Sequence, residues 1–479
     1  GSVAVGVLAP PKQQAAFYEE IQGLCVRGRV AVSCVTAVVF GEQQAQPLDV
    51  GTLQWLPWRT GGDTLHLPTF TTASAPLLND TLHHWVEKMQ ASAYGCVVKL
   101  RASKGMFCKS LVAPWPAAAS SEDSSAFEVP RLSPDTSFAF CLEAEPEEEI
   151  DDPYYRREVV KRQLFAQVAV LYTSGKGERL LRVHTCMMQV VPTMRAVYAG
   201  ASLAPLLALL IKQVVIMALG NKPDSKTLAR DSLLEFCLQV MASYTRHNHR
   251  GDMSADTMVL SRRLQLLPLY ILGARKLLYM VTSGNMDQDC ADEFLRRLLR
   301  MPVHSVLASL YPRIYALQPG ATFDRPELPR AGFASKDYLI SGSAPAYLIA
   351  NAFGTWFYDA TQEDRDEASP SVEPQAGSPC TEGAPAADPE RTPEGRATRR
   401  AELWKVAEAL AQRIREGLAP GPVWMPMCEL PRLKSAGEGS LDWNTKVFFS
   451  ALFVEDEGVT EMEYPEWMNF LHKQMGRML

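Results

Sequence analysis

Leu171-Tyr-Thr-Ser-Gly-Lys-Gly-Glu-Arg-Leu-Leu-Arg-Val-His-Thr185 decides the reading of the middle of this chain. Leu171 to Thr173 and Leu180 to Thr185 are rich in β-branched and large apolar side chains, and Ser174-Gly175-Lys176-Gly177 separates them. Two strand-like runs around a glycine turn predict a β-hairpin. The second strand carries Arg179 and Arg182. Residues three apart on a strand point to opposite faces. By spacing alone, each arginine reads as a solvated surface residue.

Strand signals extend outward from this hairpin. Cys96 to Ala102, Met106 to Val112, Ser137 to Leu142, Phe165 to Tyr172 and Leu180 to Val191 are the candidates. Short strands divided by turn residues predict an antiparallel β-sandwich. The acidic run Glu143-Ala-Glu-Pro-Glu-Glu-Glu-Ile-Asp-Asp152 reads as a solvated loop, because adjacent carboxylates repel and stay in water. Upstream, Val3 to Leu8 and Arg29 to Phe40 read as buried strands. The helix between them starts at Pro10-Pro11 and carries Phe17, Ile21 and Leu24 on one face. Strand, helix, strand is the grammar of a parallel sheet. The abrupt start predicts the tail of a larger α/β domain, followed by a short helix from Thr81 to Gln90.

Downstream the period changes. From Val197 to Tyr311 apolar residues recur at helical spacing, with helices predicted over Asp231 to Tyr244, Leu264 to Tyr279 and Asp289 to Met301. In the last, the acids Asp289, Asp292 and Glu293 precede Arg296, Arg297 and Arg300, as the helix dipole favours. Ala346 to Asn351 and Thr355 to Tyr358 return to strand character around Ala352-Phe353-Gly354. Residues 361–400 lose nearly all large apolar side chains, and such a segment cannot offset its ordering entropy. A disordered insertion is predicted there. A helix over Ala401 to Gly417, a strand over Val423 to Leu430, and helices over Thr445 to Phe453 and Tyr464 to Met475 follow.

Composition narrows the functional classes. At 479 residues the chain is too long for one ordinary core. A net charge of -6 supplies no global attraction to nucleic acid or to an anionic membrane. Leu203 to Leu219, the most apolar run, is interrupted by Pro205, Lys212 and Gln213 and reads as a buried helix. No signal peptide is visible, so a soluble protein with peripheral membrane association is expected. Cys25, Cys34, Cys96, Cys108, Cys141, Cys186, Cys237, Cys290, Cys380 and Cys428 never stand as Cys-x-x-Cys. That argues against a cysteine-rich zinc site and for reduced thiols.

No catalytic constellation stands out. Gly175-Lys176-Gly177 lacks the spacing and following Ser or Thr of a phosphate loop. His247-Asn248-His249 has no compelling third ligand nearby and reads as a polar loop between helices. His83 and His84 are adjacent on a helix and diverge. There is no Gly-x-Ser-x-Gly elbow.

The opening stretch resembles a block in the cargo-adaptor subunit of the inner COPII vesicle coat. Further resemblances follow in the family's order. They are Leu100-Arg-Ala-Ser-Lys-Gly105, Val197-Tyr-Ala-Gly-Ala201, Leu264-Gln-Leu-Leu-Pro-Leu-Tyr-Ile-Leu272, Tyr311-Pro-Arg-Ile-Tyr315 and the stretch from Lys446 to Gln474. The resemblance implies a multidomain α+β protein. Residues 1–90 would be the C-terminal part of an α/β, von Willebrand A-like trunk. A β-sandwich would occupy 91–196, a helical domain 197–310, and a gelsolin-like domain 311–443 interrupted by 361–400. A helical segment would close the chain at 444–479.

It implies no enzymatic activity and no cofactor in this chain, with zinc only in a finger upstream. The implied function is to bind short cytosolic signals of membrane cargo, such as SNAREs. The implied partners are a GTPase-activating sister subunit and, through the complex, a Sar-type small GTPase. The implied place is the cytosolic face of the endoplasmic reticulum. Nucleic acid is not an expected partner. In this family, basic residues on the sandwich hold acidic signals, usually as Arg-x-Arg. Here Leu180 stands at the first of those positions, Arg182 at the second, and Arg179 at the preceding basic position. An arginine fork suits a carboxylate. The alternatives are the sister subunit, whose hairpin wording differs, and a scaffold with degenerate signal pockets.

Overall fold

The computed structural model describes residues 15–39, 48–113, 125–144, 163–220, 224–248, 260–283, 286–322, 328–361, 393–418, 427–430 and 443–478. The predicted strand Val3 to Leu8, most of the acidic run and residues 362–392 lie outside them. The chain folds as two units. One comprises Gly1–Leu307 with Pro465–Leu479, and the other Ala308–Tyr464.

The first unit begins with α1 (Ala15–Gly28) and β1 (Cys34–Val39), followed by α2 (Val50–Leu53), α3 (Trp55–Thr60), β2 (Thr64–Phe70) and α4 (Ala75–Ala91). β1 pairs in parallel with β2. The sequence reading missed β2, because Pro68 and a short, mixed pattern disguise it. The short predicted helix runs longer, as α4, with Pro76 in its first turn, where a missing N–H costs nothing.

The sandwich consists of β3 (Ala93–Ala102), β4 (Met106–Val112), β5 (Ala126–Leu132), β6 (Ala139–Ala144), β7 (Gln163–Ser174) and β8 (Arg179–Gln189). One sheet has the order β5-β3-β7-β8, and β4 pairs with β6 in the other. Cys96, Val98, Leu111, Ala113, Phe127 and Val129 fill the space between them. β5 was not predicted. Pro130 interrupts its pattern, yet Pro is tolerated on an edge strand, where its absent N–H breaks no ladder bond.

Helices follow: α5 (Met194–Gly200), α6 (Leu203–Ala218), α7 (Ser225–Asn248), α8 (Leu267–Thr282), α9 (Gln288–Arg300) and α10 (Val303–Leu310). The most apolar run is α6, and Leu207, Ile211, Val214 and Val215 on it are buried. Among the described residues no single helix is long and apolar enough to cross a membrane. His247 does not sit in a loop. It lies in the last turn of α7, with Nδ1 2.8 Å from the Ser243 carbonyl.

The second unit is built on β9 (Arg313–Leu317), α11 (Lys336–Ile340), β10 (Ala346–Ala350), β11 (Thr355–Asp359), α12 (Pro393–Leu418), β12 (Met427–Glu429) and α13 (Trp443–Leu452). Its sheet has the order β12-β11-β10-β9. Alternation along β10 divides the core. Ala346, Leu348 and Ala350 meet Leu403, Ala407, Leu410 and Ile414 of α12. Tyr347 and Ile349 meet Leu339, Phe449 and Leu452 on the other side. α12 starts at Pro393, so 393–400 are helical and not part of a disordered insertion. Pro at the first helical position is preorganised for this start. Arg400 anchors the turn with a 2.6 Å bond to Glu429.

The closing helix is α14 (Tyr464–Met478). The stretch 444–479, read as one segment, divides instead. α13 belongs to the second unit, and Pro465–Leu479 belongs to the first. Trp467 is the reason: its Nε1 donates to the Pro268 carbonyl at 3.1 Å, and the Arg275 guanidinium lies over its ring. A buried indole satisfied in this way docks α14 on α8.

Candidate functional site

The hairpin register fixes the surroundings of the two arginines on β8. Thr173 stands opposite Arg179, Tyr172 opposite Leu180, and Val170 opposite Arg182. Directly opposed residues share a face. Val168, Val170 and Tyr172 pack on the sandwich core, so Leu180, Arg182 and His184 lie on the inner face. Arg179, Leu181, Val183 and Met187 lie on the outer face. The two arginines are therefore on opposite faces of one strand.

Their roles differ. Arg179 Nη1 donates to the Gly95 carbonyl at 2.9 Å and to Thr173 Oγ1 at 3.1 Å. Gly95 has φ 53° and sits where the β3 register slips between Tyr94 and Val97. Arg179 thus ties the hairpin base to an irregularity in β3. Arg182 is exposed, and among the described residues its guanidinium has no hydrogen-bond or ion-pair partner. It remains available to an external carboxylate.

β8 is an edge strand, and every residue from Arg179 to Met187 is exposed. Leu181, Val183 and Met187, beside Phe165 and Leu171 of β7, form an exposed apolar row on the outer face. Sequence reasoning missed this row, because whether a strand face is covered depends on what packs against the sheet.

The other edge of the same sheet is closed. α1 and α3 pack against β5. Arg131 of β5 is buried and reaches Asp63 at 2.6 Å and Ser92 Oγ at 3.1 Å. Lys88 pairs with Asp63 and, at 2.7 Å, with Asp135. Burial alone would raise the Asp63 carboxyl, but Lys88, Arg131 and Arg300 outweigh it and hold the group below its ordinary value. Arg300 donates to the Gly62 carbonyl and to Thr136 Oγ1, linking α9 to the same junction. Nearby, burial and the Arg300 charge pull Lys212 down to about 7. Its amine donates to the Leu299 carbonyl and to the Met301 carbonyl at 3.0 Å.

Residues 93–191 match the profile of the Sec23/Sec24 beta-sandwich domain, and 204–308 that of the Sec23/Sec24 helical domain. The chain is 24% identical over 469 residues to Protein transport protein SEC24 of Podospora anserina, covering 96% of this chain and 46% of that one. The chain carries the beta-sandwich and helical domains of the Sec23/Sec24 proteins. Protein transport protein Sec24B of Homo sapiens is 24% identical over 294 residues, covering 60% of this chain and 22% of that one. The crystal structure of the human COPII-coat protein Sec24c shares the fold, with a TM-score of 0.70 at 19% identity, over 100% of this chain and 55% of that one. The fold is multidomain α+β, as the Sec24 resemblance implied. The chain spans less than half the length of these two curated relatives, 46% and 22%.

Proposed function

We propose that this chain is the signal-reading part of a COPII coat adaptor, and that the bare edge of its β-sandwich binds short cytosolic signals of membrane cargo. The observation that carries the reading is Arg182, exposed on an edge strand and unpaired among the described residues, in a chain that carries the Sec23/Sec24 beta-sandwich. An extended peptide can add to an unpaired strand edge through backbone hydrogen bonds, while side-chain contacts select it. Arg182 would take a carboxylate. Leu180, 38% exposed and opposite Tyr172, would take an apolar neighbour in place of a second acid. Signals combining one acid with an apolar residue should therefore bind better than doubly acidic ones.

The partners consistent with this role are a GTPase-activating sister subunit, a Sar-type GTPase reached through it, and cargo at the cytosolic face of the endoplasmic reticulum. Fluorescence anisotropy with acidic and apolar signal peptides tests the reading. Arg182→Ala should weaken an acidic peptide by roughly three- to tenfold, the range of about 1 kcal/mol for a solvent-exposed charge contact. Unchanged binding would remove Arg182 from the site. Leu180→Arg should shift preference toward doubly acidic signals. The two matched domains are described as common to Sec23 and Sec24, which keeps the sister subunit as a second reading. GTP turnover by the small GTPase, stimulated by this chain, would favour it.

A further inference from the structure

His66 of β2, with Asp287 and Cys290 at the start of α9, brings three metal-ligating atoms within 4.8 Å of one another. His66 is remote in sequence from Asp287 and Cys290, so chain spacing gave no sign of the group. We propose that they bind a zinc ion that clips β2 to α9. The site is separate from the β8 edge and does not rest on the signal-binding reading.

The donor set suits the metal. Imidazole nitrogen, thiolate and carboxylate are the ligands zinc takes, usually in a tetrahedron. Zinc bonds of about 2.0–2.3 Å put tetrahedral ligands roughly 3.3–3.8 Å apart. Atoms already within 4.8 Å need only small side-chain rotations to close on an ion. Three protein ligands leave one position for solvent.

Supporting contacts aim two of the ligands, His66 and Asp287. Thr36 stands opposite His66 in the β1–β2 register, and its Oγ1 lies 3.0 Å from His66 Nδ1. When the hydroxyl proton lies on the Leu65 carbonyl, 3.4 Å away, Thr36 accepts from Nδ1–H. That assignment leaves the Nε2 lone pair for the metal, the arrangement that outer contacts impose on ligating histidines. Asp287 caps α9 with Oδ2, which accepts from the Asp289 and Cys290 amides at 3.1 Å and 3.3 Å. The cap orients the carboxylate, and the Cys290 thiol is hydrogen-bonded to it, so a metal would displace that thiol proton and take both groups as ligands.

Charge around the group favours a cation. Glu293 accepts from Thr64 at 3.1 Å, and Asp289 accepts from the Leu48 and Val50 amides at 2.9 Å each. Arg296 is the opposing cation on the same helix. An ion bound here would join the strand to the helix that also carries Arg300 into the sandwich junction.

Equilibrium dialysis of the full chain against zinc, with metal counted by mass spectrometry, gives the stoichiometry. About one zinc per chain is expected. Cobalt should bind in its place and show a thiolate-to-metal absorption that Cys290→Ser abolishes. Asp287→Asn is the informative variant, because asparagine still caps a helix while the anionic ligand is lost. It should weaken zinc at least about tenfold, and Thr36→Val should weaken it roughly 10- to 100-fold, as outer-contact losses do. Substoichiometric zinc would overturn the proposal. So would stoichiometric zinc whose affinity is the same in Asp287→Asn and Cys290→Ser, since the ion would then sit elsewhere. Circular dichroism of Asp287→Asn checks that weakened binding does not reflect unfolding.

Discussion

The two edges of the larger sandwich sheet, β5 and β8, carry similar residues and meet opposite fates. Each has large apolar side chains and an arginine. On β5, Phe127, Val129 and Arg131 are 0%, 2% and 1% exposed. On β8, Leu181 is 64% exposed and Arg182 lies in water. The difference does not come from the strands. The facing sheet covers Phe127 and Val129, α1, α3 and the Asp63–Lys88 pair close over the rest of β5, and among the described residues nothing closes over β8. A covered arginine must be paired and becomes structural, whereas an uncovered one keeps its donors for a partner. An edge left open is a hazard that proteins usually blunt. One left open and apolar is where a partner belongs.

The comparison breaks most sharply at the arginines. Arg131→Ala should cost about 3–5 kcal/mol, because it leaves Asp63 buried with half its partners. Arg182→Ala should stay within about 0.5 kcal/mol. Urea denaturation of both variants, read as midpoints at constant slope, checks the pair, and equal losses would erase the distinction between the edges.

Glycines near the two edges give a smaller contrast. Gly61 has φ 75°, and a Cβ there would fall 1.9 Å from the Arg131 carbonyl oxygen. Gly61→Ala combines left-handed strain with a backbone clash and should cost about 3 kcal/mol. Gly177, in the β8 turn, has φ 86° and open space around its Cβ position. Gly177→Ala should cost only about 1–2 kcal/mol, the strain alone. Thermal unfolding of the two variants separates clash from strain.

Acid sharpens the comparison further. Asp63 is held below its unfolded value of 3.8 despite burial, through Lys88, Arg131 and Arg300. Its contribution is present above that value and is lost as pH falls through the lower, folded-state value. Stability measured from pH 5 downward should fall less steeply in Arg131→Ala than in the parent. Arg182→Ala should track the parent. Lys212 acts at the other end. Its folded value of about 7 lies below 10.5, so the folded state sheds its proton first and stability rises with pH between those values. Lys212→Met should flatten that rise.

The smallest effect concerns the apolar row. Leu181→Ser should leave stability within about 0.5 kcal/mol of the parent while weakening apolar signal peptides in the anisotropy assay. Unchanged peptide affinity would confine the site to the inner face around Arg182.

Local pattern was enough for the hairpin, the apolar helices α6, α8 and α9, and the β10–β11 pair. In each, period and turn chemistry agree over a whole element. It failed where a local rule is relaxed by position. Pro130 fits β5 only because that strand is an edge, and Pro393 begins α12 in a segment too polar to look ordered. Arg179 and Arg182 were legible as residues, but their division into an anchor and an available donor needed Gly95 and Thr173 brought alongside.

The sequence by itself determined most of the strands and helices, β2, β5 and the start of α12 excepted, the turn that joins β7 to β8, and the opposite facing of Arg179 and Arg182. Those properties follow from side-chain alternation and backbone preference over a few residues. Tertiary structure alone decided which sheet edge is covered, that α14 returns to the first unit through Trp467, and that His66 meets Asp287 and Cys290. Such outcomes depend on which surfaces pack, and burial is a property of neighbours that the chain brings together only on folding.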